Sequence, residues 1–313
     1  MTHHQFKPDH YHITIGWHEP VLRIANGDSV TTTTVDARGF DYKGEHVTER
    51  GNPMTGPFYM LGAEEGDSLA VVFDNLTPNR RSGFTSSRVA PVVTEPGYTP
   101  EFQDEDERVD WQIDLKGGYA QPEGEKGILG NLRLPLLPMV GCFGVAPPRG
   151  QAISTATSGT YGGNMDYNGF TEGVTVYLPV SAPGALFYLG DGHALQGDGE
   201  IVGNGVEISF EITFTTYLKK GMGIGWPRAV NETHIMTFGN ARPLDQCMQH
   251  ATTEMIRWLH DDLGLDNRTV HALLGQAVEY DLGNMYDPAY TMVCKIPKSI
   301  LGDLGVQISP EQS

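Results

Sequence analysis

The sequence predicts a mainly β protein, antiparallel sandwich- or barrel-like sheets with a few helices near the C-terminus. Three observations carry that prediction. Short runs rich in β-branched and aromatic residues recur through the first 240 residues with no helical pattern between them, which favours antiparallel sheets over an alternating α/β chain. Glycine and proline, 39 and 20 in number, fall mostly in the same stretch and punctuate those runs. After Pro243 the apolar spacing lengthens to that of a helix. With no internal repeat or low-complexity tract, the 313 residues read as one domain, 1–313, β-rich over 1–240 and helical over 241–313, long enough to bury a sizeable core.

The elements follow in order. "PVLRIANGDSVTTTTVDA" is two extended runs around Asn26-Gly27-Asp28, residues that tolerate the positive φ of a tight turn, so a hairpin is expected. "DSLAVVFDNL" is a strand entered from the Gly66-Asp67 turn. Residues 80–126, with "TEPGYTPEFQDEDERVD", are polar and irregular and read as an exposed insertion or mobile loop. "VEISFEITFTTYL" alternates, with Val206, Ile208, Phe210, Ile212 and Phe214 on one face. In "LDQCMQHATTEMIRWLHDDLG" the apolar positions Met248, Ala251, Met255, Trp258, Leu259 and Leu263 have helical spacing, with Asp245 to cap the start and Gly264 to end it. "LDNRTVHALLGQA" predicts a second, shorter helix, and "MVCKIPKSIL" returns to an extended run.

Charge narrows the function classes. Thirty-nine acidic against 21 basic residues give a formal charge of −18, which argues against nucleic acid or an anionic membrane as partner. Three cysteines, at 142, 247 and 294, form neither an even set nor a metal spacing, so no disulfide framework is expected. "MTHHQFKPDHYH" lacks the apolar core of a signal peptide and no later run is long enough to span a membrane. The expectation is a cytoplasmic protein.

The chemistry gathers in "YLGDGHALQGDGEI", Tyr188 to Ile201. On a strand, Asp191 and His193 project from one face, and Asp198 and Glu200 can join them across a glycine-bearing turn. An imidazole with carboxylates suits zinc and other first-row divalent ions. The plain alternative is a set of ordinary turn residues, because neither an EF-hand loop nor a His-Glu-x-x-His helix can be made from this string.

The order and spacing of "GCFGVAPPRG", "YGGNMDYNGFTEGVTVYLPV" and "GALFYLGDGHALQGDGE" resemble the signature of the acetamidase/formamidase family. "PVLRIANGDSVTTTTVDA" and "GPFYMLGAEEGDSLAVVFDNL" resemble the family's N-terminal segments, so the likeness covers about residues 15 to 215. The resemblance implies a metal-dependent hydrolase of small amides, formamide- or acetamide-like or a lactam, releasing carboxylate and ammonia. It implies a divalent metal, zinc first, with calcium open as an additional structural ion. Small-molecule amide and further copies of the chain are the expected partners. No Gly-x-Ser-x-Gly elbow offers a serine nucleophile, and Cys142 beside the GVAP segment reads as packing.

Within the match, His193 is the first expected metal ligand, with Asp191 and Asp36 as companions. Glu200 or Asp198 is the acid/base candidate. Asn164, Asp166 and Gln196 are expected to bind substrate or orient a ligand. One departure stands out: many members carry a histidine where "ITIGW" has Thr14, with His10, His12 and His18 nearby. The reading of another class is a non-catalytic β-sandwich that binds a cation or ligand in its acidic loops.

Overall fold

The computed structural model describes residues 1–98, 108–306 and 308. Among them, two large sheets form. One has nine strands, running from His3–Gln5 at one edge through Ser29–Thr33, Phe210–Lys219 and Ser68–Pro78 to Tyr290–Pro297 and Glu279–Asn284 at the other. The second has eleven, with Phe187–His193 at its centre between Met139–Gly144 on one side and Glu207–Ile208 and Thr55–Met60 on the other. Apart from two parallel pairings, His3–Gln5 with Ser29–Thr33 and Leu22–Ile24 with Thr55–Met60, the described strands pair antiparallel.

The sheets close on a shared aromatic core. Phe214 of the first meets Phe58 and Phe187 of the second at ring separations of 5.2 and 5.3 Å, and Phe73 meets Phe143 at 5.2 Å. Val206, Ile208, Phe210, Ile212 and Phe214 are all buried, as their alternation predicts. Burying such side chains contributes roughly 1.5–3 kcal/mol each.

The turn at Asn26-Gly27-Asp28 forms, with Gly27 at φ 83° and Asp28 N–H donating to Ala25 O, but no hairpin does. Leu22–Ile24 pairs with Thr55–Met60 in one sheet, and Ser29–Thr33 with Phe210–Lys219 in the other. The turn therefore links the two layers instead of two neighbours, a difference that local turn chemistry cannot register.

The 80–126 stretch also departs from the expected loop. Ser82–Ser86, Arg108–Asp114 and Tyr119–Pro122 are strands of the second sheet, with Trp111, Ile113 and Ala120 buried. The acidic part, 99–107, lies outside the described residues.

Beyond Pro243 a helix runs over Leu244–Arg257 and continues as a π turn, Trp258–Asp262, before Gly264 at φ 72° ends it. Pro243 occupies the N-cap, so Asp245 sits inside the first turn and is not the cap. Ala251, Met255, Trp258 and Leu259 pack with Ile235 and Ile296, while Met248 faces solvent. A second helix, Asn267–Ala277, is capped by Asp266, which accepts from Thr269 N–H at 3.1 Å. The extended run is Tyr290–Pro297, followed by a short helix, Lys298–Asp303. No described helix is long and apolar enough to cross a membrane.

Candidate active site

The central strand Phe187–His193 is buried along its whole length and brings Asp191 and His193 inward. Its antiparallel register sets Glu207 directly opposite His193. Asp166 follows the strand Gly162–Asn164, Glu200 ends the 3-10 turn Asp198–Glu200, and Asn284 and Asp287 come from the end of Glu279–Asn284 and the loop after it. Both sheets thus contribute side chains.

The backbone is bent to make this happen. Asn52, Asp166, Asp191 and Glu200 all adopt left-handed φ, at 53°, 43°, 58° and 49°, a conformation that costs about 1–3 kcal/mol for a non-glycine residue and clusters at functional sites. Two glycines make the room. A Cβ on Gly141 would strike Asp166 Oδ1 and lie 3.0 Å from Asp191 Oδ2, and one on Gly205 would lie 2.6 Å from His193 Nδ1.

Hydrogen bonds then orient the groups. Gln196 Nε2 donates to the Asp166 carbonyl at 2.5 Å, which turns Gln196 Oε1 toward His193 Nδ1 at 2.8 Å. An amide oxygen only accepts, so Nδ1 carries a proton and Nε2 is the ring atom turned to the acids. Asn284 Nδ2 lies 2.8 Å from Asp166 Oδ2, 2.9 Å from Glu200 Oε2 and 2.8 Å from Asp287 Oδ2. Its own Oδ1 accepts from the N–H groups of Tyr286 and Asp287, so the amide cannot turn over. Asn164 Nδ2 donates to Asp287 Oδ2 at 2.6 Å, and Asn52 Nδ2 to Asn164 Oδ1 and Asp191 Oδ2 at 3.0 and 3.2 Å.

Five carboxyls and one imidazole share this interior. Burial first, then the charges of Glu200 and Asp191, push the Asp166 carboxyl well above its usual range. Burial, against the pull of His193 and with the push of Asp287, does the same to Glu200. Glu207 is raised by burial to about 7 and Asp287 by burial to about 6. Burial disfavours a charged His193, but Glu207 and Asp191 outweigh it and raise the ring. Such a cluster must take up protons or a cation to offset its desolvation.

The donor set fits a divalent cation. Asp166 Oδ1, Asp191 Oδ1 and His193 Nε2 are buried without a hydrogen-bond partner, and the three residues offer ligand atoms within 4.8 Å of one another. Glu207 Oε1 approaches Nε2 to 2.9 Å, within ion-pair distance. His193 with Glu200 and Glu207, and Asp166 with Glu200 and Asp287, make two further groupings of the same kind.

Of the residues expected from sequence, His193, Asp191, Asp166, Asn164, Gln196 and Glu200 converge here. Asp36 does not. Its Oδ1 accepts from the N–H groups of Arg38 and Phe40, and its Oδ2 pairs with Arg80 at 2.5 Å, leaving it no oxygen for a cation. Asp198 faces solvent and accepts from Asn168 at 2.7 Å, because the 3-10 turn points Glu200 inward and its neighbour out. Glu207, Asp287, Asn284 and Asn52 were not expected. Glu207 could have been found by pairing "VEIS" against "GDGH", whereas the other three sit far from the motifs in sequence.

Thr14 Oγ1 meets His18 Nε2 at 2.9 Å, and His12 stacks on His18 at 4.1 Å. Cys142 is buried, with burial and then Asp191 and Asp166 raising its thiol, an environment unsuited to a thiolate nucleophile.

A cavity of about 220 Å³ opens over the acids, lined by Asp191, Glu200, Glu207, Asp287 and Asn164 within and by Arg38 and Phe84 among its other walls. A larger one, about 400 Å³, lies by Phe6 and Tyr42, away from the acid cluster.

This fold and site define a two-sheet β protein with a buried acid–histidine centre under a small polar cavity. Comparison with known proteins makes that class particular. The sequence model of the acetamidase/formamidase family matches residues 148–302. The chain is 31% identical to an acetamidase from Yersinia enterocolitica, whose crystal structure superposes with a TM-score of 0.82 over 96% of this chain and 93% of that one. It is 29% identical to an acetamidase from Bacillus halodurans, with a TM-score of 0.81 over 96% and 100%. A formamidase-like protein of Schizosaccharomyces pombe, its own assignment provisional, is 23% identical over 65% of this chain and 63% of its own length. The chain belongs to the acetamidase/formamidase family.

Proposed function

We propose that the protein is a metal-dependent hydrolase of the C–N bond in small amides, releasing carboxylate and ammonia. The observation that carries the reading is the convergence of Asp166, Asp191 and His193, whose ligand atoms lie within 4.8 Å of one another, beside a cavity of about 220 Å³ that Asp191 lines. That volume is roughly seven water molecules' share of the liquid, which suits a formamide-, acetamide- or lactam-sized substrate. A divalent cation, zinc by its donor preferences, held by His193, Asp191 and Asp166 would polarise the amide carbonyl and acidify water.

The remaining steps belong to the chain. Gln196 fixes the His193 tautomer. Glu200 Oε takes the proton of the attacking water and passes it to the amide nitrogen as the C–O bond forms and the C–N bond breaks, a role its place in the cavity lining suits. Asn284 holds Glu200, Asp166 and Asp287 in register. Asn164 and Asn52 line the cavity and can donate to the substrate carbonyl. A homo-oligomer in the cytoplasm, with no nucleic-acid or membrane partner, completes the reading.

The test is metal analysis of the purified protein, followed by ammonia release from formamide and acetamide and ring opening of a lactam, with and without chelator. The expected result is turnover of at least one substrate, lost on chelation and restored by zinc. Bound metal with no turnover of any of them would instead make the protein a cation-binding β-sandwich.

A further inference from the structure

We propose that Arg38 makes this cavity selective for amides bearing a carboxylate a short chain away from the scissile bond, that is, the monoamides of short dicarboxylic acids; the proposal rests on the amide-hydrolase reading above. Arg38 is the one cationic side chain among the described residues lining the acidic cavity. Its guanidinium lies 4.3 Å from the centre of the buried Phe84 ring, and its backbone N–H is tied to Asp36 Oδ1 at 2.9 Å. Asp36 is in turn fixed by Arg80. The side chain is therefore anchored at its base by a hydrogen bond and at its head by stacking.

Stacking uses the face of a guanidinium and leaves its donor edge unspent. Among the described residues, no carboxylate or carbonyl takes up the Arg38 guanidinium. Arg108, which stacks on the same ring at 4.9 Å, differs, because it pairs with Asp110 at 2.6 Å. A preorganised fork with free donors is the group that binds carboxylate bidentately.

The rest of the lining fixes which end of the substrate goes where. Asp191, Glu200, Glu207 and Asp287 would repel a carboxylate placed among them, so the anionic end stays beside Arg38 and Phe84 while the amide enters toward Glu200. The small volume admits malonamate or succinamate and little more. Hydrolysis of either consumes one water and yields a dicarboxylate and ammonium.

The plain alternative is that Arg38 covers Phe84 with its stem. The two differ in selectivity. With zinc-loaded protein, kcat/KM for malonamate and succinamate is compared with that for acetamide and propionamide, in wild type and in Arg38→Gln. The proposal expects a wild-type preference for the anionic amides and a fall in that ratio of about 10- to 100-fold in Arg38→Gln, the size of a lost charge-assisted pair, with partial recovery in Arg38→Lys. A wild-type ratio of one or less, or a ratio unchanged in Arg38→Gln, overturns it. If no amide is turned over, the hydrolase reading fails by itself and malonate binding by calorimetry decides: binding weakened at least tenfold in Arg38→Gln supports the role of Arg38, and no binding or equal binding ends it.

Discussion

His193 Nε2 stands 2.9 Å from Glu207 Oε1 and 3.5 Å from Asp191 Oδ1. The strand register puts His193 and Glu207 opposite each other, and Gln196 spends the other ring nitrogen, so Nε2 has only the acids and whatever they hold to face. His193→Ala should therefore retain less than a tenth of the metal bound per wild-type chain, because it removes the one nitrogen donor of the cluster. Glu200→Gln should keep most of it, since an amide still fills the space and hydrogen-bonds. Elemental analysis of the purified variants checks this, and equal loss in both would make Glu200 a ligand.

Gly141→Ala tests the packing of the same centre. The added methyl would collide with Asp166 Oδ1 and press on Asp191 Oδ2, an overpacking that costs about 1–3 kcal/mol in stability. Displacing two acids by even a fraction of an ångström should lower kcat on the order of 10²-fold. A fully active, fully stable Gly141→Ala protein would show that the two carboxylates are not where the reaction needs them.

Asp28 gives a pH-dependent stability term remote from the site. The Ala25 N–H, then His4 and the Thr2 N–H, hold its carboxyl down to about 2 against the opposing effect of burial. A folded value below the unfolded value of about 4 means that its contribution is complete above that pH and disappears as pH falls toward 2. Asp28→Asn should cost about 1–2 kcal/mol at pH 7, and the difference should shrink progressively as pH falls from about 4 toward 2. Urea midpoints of both proteins across that range measure it, and a difference independent of pH contradicts it.

Under the C-terminal helix, Arg228 Nε meets Glu254 Oε1 at 2.8 Å with both side chains buried. Arg228→Met should destabilise the protein by about 3 kcal/mol, because it removes the nearer partner of a buried carboxylate and leaves it only Arg257 at 3.5 Å and the Gly225 N–H. Replacing both residues by apolar ones should recover much of that loss, and a double-mutant cycle in denaturant would reveal whether it does.

The legible parts of this molecule were those written in local periodicity. Val206 to Phe214 alternate and are buried, Ala251 to Leu259 recur at helical spacing and pack, and the motif residues Asp191, His193 and Glu200 lie together as their strand and turn suggest. What escaped depended on which strand meets which. Asn26-Gly27-Asp28 is a sound turn, yet its flanking runs join different sheets. Asp36 carries the look of a ligand, but Arg80, more than forty residues away, claims it. Asp287 and Asn284 reach the acids only because the last strands fold back over the motif turn, a long-range contact with no trace in spacing.

The most direct measurement is the rate of ammonia release from acetamide or the preferred amide by Glu200→Gln protein that is folded and metal-loaded. If Glu200 moves the proton in this buried centre, kcat/KM should fall about 10²–10⁴-fold, the usual size of a general acid–base contribution. A rate within threefold of wild type would contradict the account, because the carboxyl assigned to move the proton, held by Asn284 at the cavity, would then take no part in the reaction.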